Sequence, residues 1–286
     1  MDDLTLRERI RQLSSPLAPR PTEAQPVLPR LADIRAVVFD VYGTLLVSAS
    51  GDISLATEGA PAAAAIEALT ALGVAPPADG EELAARLRAT IEAAHAASPS
   101  NTPEVEIREI WRDVLAEFNL QPSAHQIEQL AVQYECRVNP VWPMPGMVDV
   151  LERIAGSGRQ LGIISNAQFF TPLAMEALTG ESLEQLGFAP DLSEWSYDRR
   201  EAKPGAFLYH RCAEALAARG LQPAQTLYVG NDMRNDVWPA QQVGFRTALF
   251  AGDQRSLRLR TDDPQVAGVI ADAVVTELPQ LLQLLD

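Results

Sequence analysis

"FDVYGTLL", residues 39–46, decides how the rest of the chain is read. The apolar run Ala36-Val37-Val38-Phe39 ends in Asp40, and a turn-prone pair, Gly43-Thr44, follows closely. A short, continuous run rich in β-branched and aromatic residues reads as a buried strand. The stretch therefore delivers a carboxylate to a loop at the strand's carboxyl end. Tyr42, two residues on, raises the question of what chemistry a phenol leaves possible there.

Working outward toward the C-terminus, strand-like and helix-like stretches alternate. "RQLGIISNA", "QTLYVGND" and "RTALFAG" are apolar strands. "GMVDVLERIAGSG", "TPLAMEALTGESLEQLG", "GAFLYHRCAEALAARG" and "NDVWPAQQVG" carry helical spacing, and "ADAVVTELPQLLQLL" supplies a last strand-like step and a helix. Such alternation, with fully apolar strands, predicts an α/β fold: a doubly wound, parallel, Rossmann-like sheet. Between the first strand and this region, four stretches have helical periodicity: "APAAAAIEALTALG", "GEELAARLRATIEAAHAA", "PEVEIREIWRDVLAEFNL" and "SAHQIEQLAVQYECRV". Gly, Pro, Ser or Asn separates each from the next, so a small helical bundle is expected as an insert. "SASGDIS" reads as the loop that leads into it, and "NPVWPMPG" ends it.

Residues 1–33 read as an extension. "TLRERIRQL" has a short helix's pattern, whereas "SSPLAPRPTEAQPVLPRL" is too proline-rich for regular structure. Leu28 and Leu31 favour packing against the body or a partner subunit over a loose tail. The expected organisation is an extension at 1–33, an α/β core at 34–47 and 141–286, and a helical domain at 48–140.

Composition narrows the partners. The hydrophobic fraction, 47%, suits a soluble chain with a real core, and the net charge of −15 argues against nucleic acid or an anionic membrane as main partner. A small-molecule anionic substrate stays compatible, because a local metal or helix terminus can invert the field. No stretch resembles a signal peptide or a membrane span, so a cytoplasmic protein is expected. Cys136 and Cys212 read as core thiols; His95, His125 and His210 are scattered among helix formers. The oligomeric state is open between monomer and homodimer.

Doubly wound sheets bind ligands beyond the carboxyl ends of their strands. Asp40, Ser165-Asn166 and Gly230-Asn231-Asp232 all end strands there, and Lys203 opens a helix after a loop. A carboxylate attacking phosphorus or carbon splits one hard step into two. Attack on a phosphoryl dianion needs charge neutralised, by a divalent cation, a lysine and hydroxyl or backbone donors. Asp40, Asp232 and Asp236 carry the hard oxygens that Mg2+ takes. Lys203 would keep Asp40 ionised, and Ser165 with the backbone around Asn166 would bind substrate oxygens. Singly, Asp232 and Asp236 also read as helix caps and Lys203 as a surface lysine.

In "FDVYGTL", "IISNA", "AKPGAF" and "VGNDMRND" the sequence resembles the haloacid dehalogenase-like hydrolases over residues 34–286. The resemblance implies a helical cap after the first motif and Asp40 as nucleophile of a covalent aspartyl intermediate. It also implies Asp40, the Tyr42 backbone carbonyl, Asn231, Asp232 and Asp236 as candidate Mg2+ ligands. Thr44, Asn166 and Tyr42 are the candidate substrate contacts.

Two departures divide the activity. Phosphatases of the family carry an aspartate where Tyr42 stands, to protonate the leaving alkoxide; its loss should cost about 10²–10⁴ in rate. Tyrosine in that position is similar to the dehalogenase branch, since halide leaves without a proton. "GNDMRND" instead resembles the acidic, metal-binding version, with Asn231 where an aspartate is usual, so the ligand is Asn231 or Asp232. No arginine lies between Leu46 and Ala85 to hold a halide; Arg86 and Arg88 come later. A Mg2+-dependent phosphatase limited to good leaving groups is the first expectation, with a metal-independent 2-haloacid dehalogenase as alternative. A weakened phospho-metabolite-binding protein is the third. Tyr42 is either catalytic or packed beneath the cap. Trp111 reads as core, and Arg108 as a residue able to face the site.

Overall fold

The computed structural model describes residues 5–50 and 60–285. Residues 51–59, which hold most of the loop read from "SASGDIS", lie outside the described residues, as do 1–4 and 286. The six-stranded sheet has the order β5-β4-β1-β6-β7-β8 and every pairing in it is parallel. β1 (Ala36–Phe39) is central, between β4 (Gln160–Ser165) and β6 (Thr226–Gly230). β5 (Phe188–Trp195) forms one edge; β7 (Arg246–Phe250) and β8 (Ala273–Val275) complete the other side.

Alternation along β1 feeds two cores. Val37 and Phe39 pack with α6 (Met147–Gly156), α7 (Phe170–Thr179) and α11 (Leu281–Leu285). Ala36 and Val38 face α9 (Phe207–Ala218) and α10 (Trp238–Val243) on the opposite side. All four are fully buried, which is why the run is apolar at every position instead of every second one. Phe39 is paired level with Ile163 of β4 and Val229 of β6, so the residues that follow all three emerge on one rim.

The helical insert comprises α2 (Ala60–Ala71), α3 (Gly80–Ala97), α4 (Ile107–Glu117) and α5 (Ala124–Val138). Asp79 caps α3, and Ser123 with Gln126 forms a capping box on α5. Trp111 is fully buried and meets Tyr134 edge-on at 5.2 Å, so it is core. A two-stranded antiparallel pair, β2 (Leu46–Ser48) with β3 (Val141–Pro143), closes the neck of the insert. Its other fastening is polar. Ala202 N–H donates to the Thr102 carbonyl at 2.7 Å, and the Ser100 hydroxyl donates to Glu201 at 2.6 Å. The insert thus grips the segment leading to Lys203.

The sequence reading runs one helix too far. α7 stops at Thr179, where Gly180 takes a left-handed conformation (φ +84°), and "ESLEQLG" turns into β5. The short helix α8 (Ser196–Arg199) follows β5.

The extension packs on the chain itself. α1 (Leu6–Leu13) starts with a capping box, Thr5 with Glu8, and buries Ile10 between α5 and α7. Arg11 donates to the Ala177 carbonyl at 2.6 Å. Further on, Val27 and Val274 exchange backbone bonds of 2.8 and 2.9 Å, covering the edge of β8. Ile10→Ala should cost about 2 kcal/mol, the lower end for a large-to-small core change because the helix is peripheral. Chemical denaturation, with hydrogen exchange rising in α1 and α5 but not in β1, would check it.

Candidate active site

Asp40 leaves β1 with its amide held by the Val229 carbonyl at 2.9 Å, so the carboxylate's origin is set by the sheet. Lys203 reaches it from the loop before α9. The Nζ donates to Asp40 Oδ1 at 2.7 Å and to Asp236 Oδ1 at 2.6 Å, with the lysine side chain only 4% exposed. The Ser165 hydroxyl, ending β4, also donates to Asp40 Oδ1, at 3.1 Å. Four segments far apart in sequence therefore converge on one oxygen cluster, on the rim expected of a doubly wound sheet.

Burial opposes the charge on Lys203, but the carboxylates of Asp236 and Asp40 outweigh it and hold the ammonium above its ordinary range. Asp236 is pushed up to about 7 by burial, against the pull of Lys203 and with Asp40 and Asp232 adding to the shift. Both its oxygens accept hydrogen bonds: Lys203 and the Tyr228 hydroxyl (3.1 Å) on Oδ1, the Asp232 N–H (2.9 Å) on Oδ2. Gly230 is required here, because a Cβ at that position would collide with the Asp236 carboxyl.

Asp232 lines the same rim and is held by its own set of partners. Its Oδ1 caps the turn that follows, accepting from Arg234 N–H (2.8 Å) and Asn235 N–H (3.1 Å), and Arg260 donates to Oδ2 at 2.6 Å. Asn231 stays at the rim: its Oδ1 accepts from the Thr44 hydroxyl at 3.1 Å, and its amide nitrogen donates to the Ser256 carbonyl at 2.5 Å. Gly43, at φ +79°, fits against Ser256 only because it has no side chain. The Asn166 side chain is committed to the Lys203 backbone, accepting from its N–H (2.7 Å) and donating to its carbonyl (3.1 Å). That double bond-pair orients the lysine.

Tyr42 faces the helical insert. Its hydroxyl bonds Thr171 Oγ1 at 2.9 Å, and burial together with the nearby Glu135 carboxylate raises its pKa well above the tyrosine norm. Burial pushes Glu135 itself up to about 7, against one hydrogen bond from Asn139. The sign follows: between about pH 4.5 and 7 the folded state holds a proton that the unfolded state has lost, so stability falls as pH rises through that window. Glu135→Gln should flatten this slope by on the order of 1–2 kcal/mol, allowing for the residue's partial exposure. Tm measured from pH 4.5 to 8 would show it.

An open cavity of about 130 Å³ brings together Asp40, Tyr42, Asn166, Lys203, Asn231 and Asp236, with Ser48 and Asn139 from the neck of the insert. Arg108 is elsewhere: it pairs with Glu106 (2.8 Å) and Glu128 (3.1 Å) and lies over the Phe169 ring. Sequence reading missed Tyr228, whose hydroxyl braces both Lys203 and Asp236; a tyrosine inside a buried strand needs such a partner, which was the available signal. It also missed the loop after β7, which supplies Ser256, Arg258 and Arg260.

Among the described residues, no three His, Cys, Asp or Glu side chains are arranged as a metal cage. The donor chemistry does fit a lightly held Mg2+. That ion keeps several waters and takes one or two carboxylates plus substrate oxygens, which Asp40 and the neutral oxygens of Asn231 and Tyr42 can complement. Asp232 and Asp236, read from the sequence as further Mg2+ ligands, line the same cavity and carry the hydrogen bonds and ion pairs described above. Among the described residues, no helix is long and apolar enough to cross a membrane.

The comparisons agree with this layout. A 35% identity over 74 residues links the chain to the glyceraldehyde 3-phosphate phosphatase of Pyrococcus furiosus, covering 26% of this chain and 28% of that protein. The rhythmically expressed gene 2 protein of Drosophila melanogaster is 24% identical over 160 residues, 51% of this chain and 58% of its own. The chain thus spans less than two thirds of either curated relative. Among solved structures, a HAD phosphatase from Thermococcus onnurineus superposes with a TM-score of 0.54 at 20% identity, over 87% of this chain and 96% of the other. A 2-haloacid dehalogenase from Pseudomonas syringae pv. Tomato gives 0.56 at 22% identity, over 88% and 97%. At such identities the likeness is one of fold. The family model for haloacid dehalogenase-like hydrolases matches residues 34–244, and with the four motif segments meeting at Asp40, this chain belongs to that family.

Proposed function

We propose that the chain is a phosphoester hydrolase that works through a covalent intermediate on Asp40 and is restricted to leaving groups needing little protonation. The observation that carries this reading is the Lys203 ammonium bridging Asp40 and Asp236 while the Tyr42 hydroxyl is tied to Thr171. The nucleophile is charged and positioned, and no acid stands at position 42. Lys203 and Ser165 both donate to Asp40 Oδ1, so Oδ2 is the oxygen left to attack. A phosphorus–oxygen bond forms to Asp40 as the bond to the leaving group breaks, and the electron pair departs with that group. A phenolate, enolate or carboxylate accepts the pair without a proton; a simple alkoxide does so far more slowly. Water then cleaves the aspartyl phosphate. Lys203 and Ser165 balance charge on the oxygens in both halves. A Mg2+ held by Asp40, the Tyr42 backbone carbonyl and Asn231 would neutralise the incoming phosphoryl group. Thr44 holds Asn231 in place for it. The four helices α2–α5, anchored at the neck and beside Lys203, act as the cap over the site.

The phosphatase named in Pyrococcus furiosus supports phosphoryl transfer. The alternative is carbon–halogen cleavage in a 2-haloacid, favoured by one observation, tyrosine at position 42. The deciding experiment is hydrolysis of 4-nitrophenyl phosphate with Mg2+ and then with excess chelator. Turnover that is lost with chelator is expected. No turnover above an Asp40→Asn blank, with chloride released from 2-chloropropionate, would replace this reading by the alternative.

A further inference from the structure

Four consecutive residues after β4 each take a partner from a different part of the chain. Ser165 donates to Asp40, and Asn166 holds the Lys203 backbone. The Ala167 N–H donates to the Ser196 hydroxyl at 2.9 Å, and that hydroxyl donates in turn to Glu104 of the helical insert at 2.8 Å. Gln168 reaches the insert directly. Its Oε1 accepts from the Ile107 N–H at 2.9 Å, and its Nε2 donates to the Val105 carbonyl at 2.9 Å. The Gln168 backbone N–H donates to Thr171 Oγ1 at 3.2 Å, the same oxygen that bonds the Tyr42 hydroxyl.

This grip is chemically specific. A carboxamide offers one acceptor and one donor side by side, which matches the C=O and N–H of the backbone it faces. Gln168 is 9% exposed, so the pairing is made in a setting where a lost partner is costly. The Ile107 N–H opens α4 and has no partner within that helix, so Gln168 also satisfies a helix-end donor. The same linker is tied to the other catalytic segment, since the Glu104 N–H donates to the Arg200 carbonyl (3.2 Å) and Thr102 accepts from Ala202. The segments that deliver Ser165 and Lys203 are therefore both fastened to residues 100–107 of the cap, away from its neck.

We infer that Gln168 is a positioning residue that couples the seating of the cap to the segment 165–168. Through Asn166, that segment sets the Lys203 ammonium against Asp40. The coupling runs through hydrogen bonds of the backbone, so it does not depend on which substrate is bound.

Gln168→Met keeps the length of the side chain and removes both bonds to the cap. The Lys203 N–H, which Asn166 accepts at 2.7 Å, reports the coupling without any turnover. Its native-state amide exchange should quicken about 3- to 10-fold in Gln168→Met, the size of one lost hydrogen bond, together with that of Ile107. The control is Val114→Ala, which removes two methyl groups from the buried face of α4 and no hydrogen bond; it should quicken exchange in the cap and not at Lys203. For turnover the expectation rests on the phosphoester-hydrolase reading. On 4-nitrophenyl phosphate with Mg2+, kcat should fall about 10- to 100-fold in Gln168→Met with KM nearly unchanged, because alignment used in the transition state is what is lost. Val114→Ala should keep its kcat. Unchanged Lys203 exchange in Gln168→Met, an equal change in Val114→Ala, or quickened exchange with wild-type kcat each overturns the inference and leaves the hydrolase reading standing. Absence of wild-type turnover overturns that reading alone, and exchange at Lys203 then decides the inference by itself.

Discussion

Lys203→Met is expected to abolish turnover and to cost about 3–5 kcal/mol of stability, the range for removing one partner of a buried ion pair. The ammonium serves two carboxylates at once, Asp40 at 2.7 Å and Asp236 at 2.6 Å, and all three side chains are at most 8% exposed. Without it, two carboxylates are left buried close together with no counter-charge. The Asp236 carboxyl, already displaced to about 7, relieves part of the repulsion by taking up a proton. The loss therefore lies toward the lower end and shrinks as pH falls, since removing Lys203 takes away the group that pulls the Asp236 pKa down. For a chain of this size the shift in Tm is roughly 6–12 °C. The double variant Lys203→Met with Asp236→Leu separates stability from chemistry. Replacing a buried pair by apolar groups is close to neutral, so its Tm should return toward wild type while turnover stays absent. Denaturation of both variants, read beside activity, is the check. A single variant with wild-type Tm would show that the lysine is not the keystone of this cluster.

Asp40→Asn should reduce turnover by about 10³-fold or more, because an amide neither attacks phosphorus nor forms the intermediate that splits the reaction. The fold should survive: Lys203 keeps Asp236, Ser165 keeps an acceptor, and the Asp40 backbone is held by Val229 whatever the side chain. Wild-type enzyme quenched during turnover should carry a phosphoryl group released by hydroxylamine, as an acyl phosphate is, and the variant should carry none. Residual turnover within tenfold of wild type would remove Asp40 from the role of nucleophile.

These two residues also mark how far a sequence can be read. Strands β1, β4, β6 and β7 were legible because each carries a continuous, mostly apolar run buried on both faces. Helices α3 and α5 were legible from their periodicity and from the Gly, Pro, Ser or Asn residues that separate the helical stretches. β5 was not: Pro190 and Asp191 are exposed on an edge strand, where solvent tolerates residues that a central strand excludes. The pair β2–β3 was missed because three residues make no period, and their partners lie about 95 residues apart in sequence.

Within the site, local pattern determined that Asp40, Ser165, Lys203 and the Asn231–Asp236 segment would gather on one rim, since each ends or opens an element of a parallel sheet. Which carboxylate does what was decided only in three dimensions. Asp232 and Asp236 look equivalent as letters. One is taken by Arg260 and a helix cap, the other by Lys203, Tyr228 and a backbone amide. Tyr42 reads as catalytic or structural with equal reason in the sequence, and nothing there points to Thr171, 129 residues away, as the partner of its hydroxyl. Burial and strand ends follow from short-range pattern, whereas a polar group's role is set by the partner that satisfies it, and folding alone chooses partners so distant along the chain.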